Sequence, residues 1–250
     1  LHFGELAEGV VSLGAAKASV CACRRAAIAR NHSAAHLLQA ALRKVLGNHI
    51  EQAGSYVDEH RVRFDFTHFS ALTADELKEV ERLVNEEILK GEDICCKEMP
   101  IDEAKAMGAM ALFGEKYGDV VRVVKMGSFS TELCGGTHLD NTAKAGLFSI
   151  VTESSVAAGV RRIEGITGLN VLLEMKKEQA LIDEVASALK AANKAELVHK
   201  AESVVNEAKA LKKELDALNQ KAALSKVQEA CDRAEEIKGV KLVTACFEGL

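Results

Sequence analysis

The sequence predicts an α+β fold, a two-layer arrangement of helices against sheets, followed by an all-α antiparallel helical hairpin. Two observations carry this. Up to Gly168, glycines recur and short β-rich runs interleave with helical patterns, whereas residues 169–236 are rich in Ala, Lys, Glu and Leu. In that second stretch Leu197, Val204, Leu211 and Leu218 recur every seven residues, with Ala201, Ala208, Leu215 and Ala222 at the complementary position.

Taken in order, Gly9 to Val20 reads as short strands turning at Gly14. Asn31 is a natural N-cap for a helix through His36, Leu38, Leu42 and Val45, stopped by Gly47. Arg61 to Phe66 alternates polar with apolar residues as a half-buried strand does. Thr73 and Glu76 form a capping box for a helix with Leu77, Val80, Leu83, Val84 and Ile88 on one stripe, ended by Gly91. Asp93–Met99 reads as a strand, Asp102–Met110 as a short helix, and Val120–Met126, Leu147–Thr152 and Gly159–Thr167 as further strands. Beyond Gly168, Leu172, Met175, Ile182, Ala186 and Leu189 form a stripe that predicts a first helix, reversing near Ala191–Asn193 to pack on the heptad helix. Residues 237–250 return to strand propensity, as the first strand of a further globular part.

Composition narrows the function. With 32 Lys+Arg against 37 Asp+Glu the net charge is −5, so contact with nucleic acid must be local rather than a general basic coat. No run of 18 apolar residues exists, which excludes a helical membrane span. No signal peptide is visible from Leu1 to Val11, and the seven cysteines are an odd number, which reads as reduced thiols of a cytoplasmic protein. A chain that starts at Leu1 rather than Met reads as a piece of something longer.

One constellation carries chemistry. His32 and His36 are four apart on a predicted helix, which puts both imidazoles on one face. Cys134 and His138 are again four apart, separated by two glycines and Thr137, which permit a bend that aims both at one ion. Three imidazoles and a thiolate suit Zn²⁺ in tetrahedral geometry. The residue after the first histidine is Ser33, where a zinc peptidase of the His-Glu-x-x-His type carries its glutamate base, so that chemistry is disfavoured. Four protein ligands read as a structural site, unless one yields to substrate or water.

Further strings make the sequence specific: Asn31 to Gly47, Glu51-Gln-Ala-Gly-Ser55, Arg63-Phe-Asp-Phe-Thr-His68, Gly108 to Tyr117, Ser130-Thr-Glu-Leu-Cys-Gly-Gly-Thr-His138 and Gly159-Val-Arg-Arg-Ile-Glu164. In this order they resemble the editing domain of alanyl-tRNA synthetases, over nearly the whole chain. The resemblance implies that residues 1–168 are most of a zinc-binding editing domain lacking its N-terminal start. Residues 169–236 would be the helical part of the C-terminal region and 237–250 the beginning of its globular end. It implies zinc ligands His32, His36, Cys134 and His138, and hydrolysis of Ser-tRNA and Gly-tRNA mischarged on the tRNA specific for alanine. The aminoacylation domain, with its ATP, would be absent from this chain. An alanine pocket cannot firmly reject glycine or serine, so a second, hydrolytic site is what the chemistry requires.

The resemblance also marks pocket residues. Many members carry Thr immediately before the second zinc histidine, placed to meet the seryl hydroxyl; this chain has Ala35. Serine selectivity is then expected to weaken or to pass to neighbours such as Gln52 or Thr137, Gln52 matching a glutamine of the family's pocket. The expected partner is the acceptor end of the tRNA, met by some of Arg24, Arg25, Arg30, Arg43, Lys44, Arg61, Arg63, Arg161 and Arg162, with a second copy a candidate partner through the C-terminal region. Two other readings stand beside this one: a structural zinc fold with an assembly arm, and a free-standing editing protein acting in trans.

Overall fold

The computed structural model describes residues 5–11, 13–110 and 117–244, in two compact units, Leu1–Met175 and Lys176–Leu250. Unit 1 is built on helix α1 (Ala22–Leu46), which is 25 residues long and ends at Gly47. Strands β1 (Gln52–Val57), β2 (Val62–Thr67), β6 (Phe148–Ala157) and β7 (Val160–Thr167) form an antiparallel sheet in the order β1-β2-β7-β6. Strands β3 (Ile94–Pro100), β4 (Val120–Met126) and β5 (Ser130–Leu133) form a second antiparallel sheet in that order. Helix α2 (Ala74–Lys90) packs beside α1, and the short α3 (Ile101–Ala106) follows β3. Helices lie against antiparallel sheets, the α+β class that the interleaved pattern predicts.

The main core joins both sheets through α1. Leu37, Leu38, Ala41 and Leu42 of α1 meet Val62, Phe64 and Phe66 of β2, Ile163 of β7, and Val124 and Met126 of β4, all nearly or fully buried. Alternation in β2 puts Phe64 and Phe66 inward while Arg63 and Asp65 take the other face. A smaller cluster of Ala104, Val121, Val123 and Leu133 fills the space under α3. α2 is fixed as its sequence requires: the Thr73 hydroxyl accepts the Glu76 N–H, the Glu76 carboxylate accepts from the Thr73 N–H, and Gly91 closes the helix in the left-handed region at φ 66°.

Two expectations change, and two strands appear that were not expected. Asn31 is not a cap: α1 starts nine residues earlier, because Ala22–Ala29 is alanine-rich and propagates the helix. Asn31 is instead fully buried, its amide donating to the Asp58 carbonyl and its Oδ1 accepting from the Thr167 hydroxyl at 2.6 Å, which ties α1 to the first sheet. Among the described residues of Gly9–Val20 there are no strands; the segment is irregular and exposed, with no partner to supply a ladder. Strands β1 and β5 were not legible, since the residue alternation in Gln52–Val57 is weak and Ser130–Leu133 is only four residues long.

In unit 2 the helices form where expected. Helix α4 (Leu169–Ala188), which begins in unit 1, ends before a reversal, and Asn193 caps a single 3₁₀ turn leading into α5 (Leu197–Asp232). The heptad seam of α5 stays open, however: Leu211, Leu215 and Leu218 are 59%, 57% and 56% exposed, and no residue of α5 is buried. The predicted mutual burial of two facing stripes is thus not seen. Composition supplies a reason, because three of the four residues at the complementary seam position, Ala201, Ala208 and Ala222, are alanines that offer little apolar surface to hold a partner helix. The terminal segment is a two-stranded hairpin, β8 (Glu235–Ile237) with β9 (Val240–Leu242), turning through Lys238 and Gly239 at φ 52° and 79°. It starts two residues before the strand that the sequence suggested, and residues 245–250 lie outside the described residues. No helix among the described residues is long and apolar enough to cross a membrane.

Candidate metal centre

His32 and His36 project from the middle of α1, one turn apart. Cys134 follows directly on β5, and the loop Gly135–His138 folds back so that His138 returns to the same point. One ligand atom from each of His32, His36, Cys134 and His138 lies within 4.8 Å of the other three. The Cys134 Sγ is 3.5 Å from His32 Nε2 and 3.3 Å from His138 Nε2. Bonds of 2.0–2.3 Å in a tetrahedral zinc site put neighbouring donor atoms roughly 3.3–3.8 Å apart, so the two cysteine–histidine distances and the nitrogen–sulfur donor set suit Zn²⁺, while the widest separation in the cluster, up to 4.8 Å, would close on binding.

Neighbouring side chains hold this arrangement. His36 Nδ1 lies 2.6 Å from a Glu132 carboxylate oxygen, which leaves its Nε2 free for the cluster, and the other Glu132 oxygen accepts from Ser130 at 2.9 Å. The Ser33 hydroxyl, in the place of a peptidase glutamate, is 3.4 Å from His138 Nδ1 and accepts the Leu139 N–H. Arg122 of β4 donates to the carbonyls of Cys134 and Gly136 and so braces the bend. Gly136 packs against the His32 ring so closely that a Cβ would fall 2.0 Å from its Cε1. Glu132, Arg122 and Ser33 were missed as supporting residues, because only the folded chain brings β4 and β5 beside α1.

The electrostatics match a ligand set. Burial works against the Cys134 thiolate, but hydrogen bonds from His138, His32, His36 and the Gly136 N–H outweigh it and bring the thiol down to about 3. Burial also disfavours a charged His36, yet hydrogen bonding and charge from Cys134 and Glu132 raise it to about 9. His138 is lowered, by burial and then by the two other imidazoles, against the pull of Cys134.

The cluster opens on a small cleft, about 90 Å³ in volume, whose lining includes His32, His36 and Cys134 together with Ala35, Gln39 and Gln52. Ala35 is buried in its wall, and the Gln52 amide donates to Ser55 at 3.4 Å. Thr137 sits on the ligand loop, half-buried, and does not line this cleft. Gln39, Ser55, Met110 and Glu132 line it without having been singled out; the +7 spacing of Gln39 from His32 was the available signal. Several cations named for tRNA are paired: Arg162 with Asp65 through two bonds of 2.7 Å, Arg161 with Glu153, Arg61 with Glu164 and Arg24 with Glu59. Six of the seven cysteines are described, all free, and among them only Cys134 joins a histidine cluster.

Residues 121–164, from β4 to β7 and including Cys134 and His138, match the family described as the threonyl and alanyl tRNA synthetase second additional domain. Alanine–tRNA ligase of Acetivibrio thermocellus is 53% identical over 249 residues, 99% of this chain and 28% of that protein. The Clostridioides difficile enzyme is 50% identical over 250 residues, again 28% of its length. The chain belongs to the alanine–tRNA ligase family. It spans about 28% of the length of these family members, and a third, from Dichelobacter nodosus, is 51% identical over 210 residues.

Proposed function

We propose that this chain carries the hydrolytic editing activity of an alanine–tRNA ligase: zinc-dependent deacylation of Ser-tRNA and Gly-tRNA formed on the tRNA specific for alanine. The observation that carries the reading is the juxtaposition of a three-histidine, one-cysteine cluster with a cleft only about 90 Å³ in volume. Such a cleft suits the aminoacyl end of a substrate whose bulk stays outside. In this reading residues 1–168 are the editing domain, 169–236 a helical arm and 237–250 the start of a further globular part. The ligation of alanine named for the whole relatives, and a cytoplasmic location, come with the same proposal.

His32, His36, Cys134 and His138 would hold the zinc. When bound, zinc supplies Lewis acidity beside the scissile ester, for its carbonyl or for a water. The chain's own residues do the rest. Glu132 and Ser33 orient His36 and His138 through their outward-facing nitrogens. Ala35 presents a methyl wall that leaves room for a small side chain, and Gln52 at the cleft wall positions the aminoacyl ester. Thr137 acts indirectly, by shaping the ligand loop. The acceptor end approaches from the cleft mouth, and the paired arginines contribute less to its binding than free cations would.

A second reading, a structural metal with an assembly arm, is favoured by the four protein donors and by the open seam of α5, which suits a second copy of the chain. Deacylation assays on the purified chain separate the two. The editing reading expects Ser-tRNA to be hydrolysed faster than correctly charged Ala-tRNA; equal rates at the uncatalysed level would favour the structural one.

A further inference from the structure

The cleft contains a polar side chain that neither the metal cluster nor its supports use. Gln39 lies on the stripe His32, Ala35, His36, Gln39, which faces the cleft at helical spacing. It is 6% exposed, and its amide makes no hydrogen bond with any described residue. Its polar neighbours are committed: Glu132 holds His36 and Ser130, and the Gln52 amide donates to Ser55. Its amide atoms reach the open space of the cleft, so a ligand entering there displaces their water and must replace those hydrogen bonds.

Resting on the editing reading, we propose that Gln39 is a specificity-determining residue that binds the side-chain hydroxyl of a seryl ester. The position follows from the helix. Gln39 is three residues beyond His36, a step of about 4.5 Å along the axis, so it lies past the ligand cluster where the ester reacts and level with the side chain attached to it. An amide donates and accepts, which matches a hydroxyl, and neither a methyl group nor a hydrogen atom can satisfy it. Ala35, on the same stripe, carries no hydroxyl to compete for that role. Alanyl esters would then be disfavoured because they leave the Gln39 amide unpaired.

The test uses the full chain and two probes. With seryl and glycyl esters on the tRNA for alanine, Gln39→Met, which keeps length and flexibility without polarity, should lower the seryl-to-glycyl ratio of kcat/KM by several-fold to about tenfold. Gln39→Glu, which still accepts a hydrogen bond, should restore part of it. An unchanged ratio, or equal losses for both esters, would overturn the proposal. The second probe needs no hydrolysis: serinamide should shift the Gln39 side-chain amide resonance of the wild-type chain and bind better than alaninamide. Equal binding of the two amides, with no shift at Gln39, would overturn it whatever the variants do. If the wild-type chain hydrolyses neither ester, the editing reading fails, while preferential binding of serinamide would still support hydroxyl recognition by Gln39.

Discussion

Glu132 and His36 are joined by a 2.6 Å contact between a carboxylate oxygen and Nδ1, with both side chains nearly excluded from solvent. Ninety-six residues apart in sequence, they meet because β5 runs beside the middle of α1. The contact fixes the imidazole tautomer and aims Nε2 at the other three donors. Glu132→Gln keeps the shape but weakens the acceptor, and should lower zinc affinity by about 10- to 100-fold. Competition with a chromophoric chelator measures this, and an unchanged affinity would show that the carboxylate does not act through His36.

Gly136 gives a steric prediction. A Cβ there would lie 2.0 Å from His32 Cε1 and 2.5 Å from Nδ1, so Gly136→Ala must displace either the ring or the loop. Overpacking of this kind costs about 1–3 kcal/mol. The variant should bind zinc less tightly than the wild type and melt at a lower temperature. Zinc content measured beside thermal unfolding checks both halves.

Much of this was legible in the residues, and the limits were physical. The two i,i+4 pairs, the capping box at Thr73 and strand Val120–Met126 depend on local spacing, and the structure places each as read. Asn31 misled because its cap-like character is local, while its folded role is set by Asp58 and Thr167, 27 and 136 residues away. Glu132, Arg122 and Gln39 have the same character: Glu132 and Gln39 line a cleft, and Arg122 braces a ligand loop, that only the assembled sheets and α1 create. The open seam of α5 shows the reverse case, in which a regular pattern specifies a helix face without specifying its cover.

Thr73 tests the local part of the account. Thr73→Ala removes the side-chain half of the capping box and should destabilise the chain by about 1 kcal/mol, read by denaturant unfolding. Hydrogen bonds from the Thr73 backbone and side chain hold the Glu76 carboxyl below its usual range. Because that shift is downward in the folded chain, its stabilisation is present above the ordinary glutamate range and fades as the pH falls through it. The wild type should therefore lose stability on acidification, and Glu76→Gln should flatten that part of the profile.

The central claim is that a metal held by His32, His36, Cys134 and His138 makes this cleft a hydrolase for mischarged tRNA. The most direct measurement is the rate of Ser-tRNA deacylation by the purified chain as isolated, after metal stripping by a chelator, and after return of one equivalent of Zn²⁺. The account predicts that the rate falls to the uncatalysed level on stripping and returns with about one zinc per chain. A rate that survives complete removal of the metal, in a chain that remains folded, would contradict it.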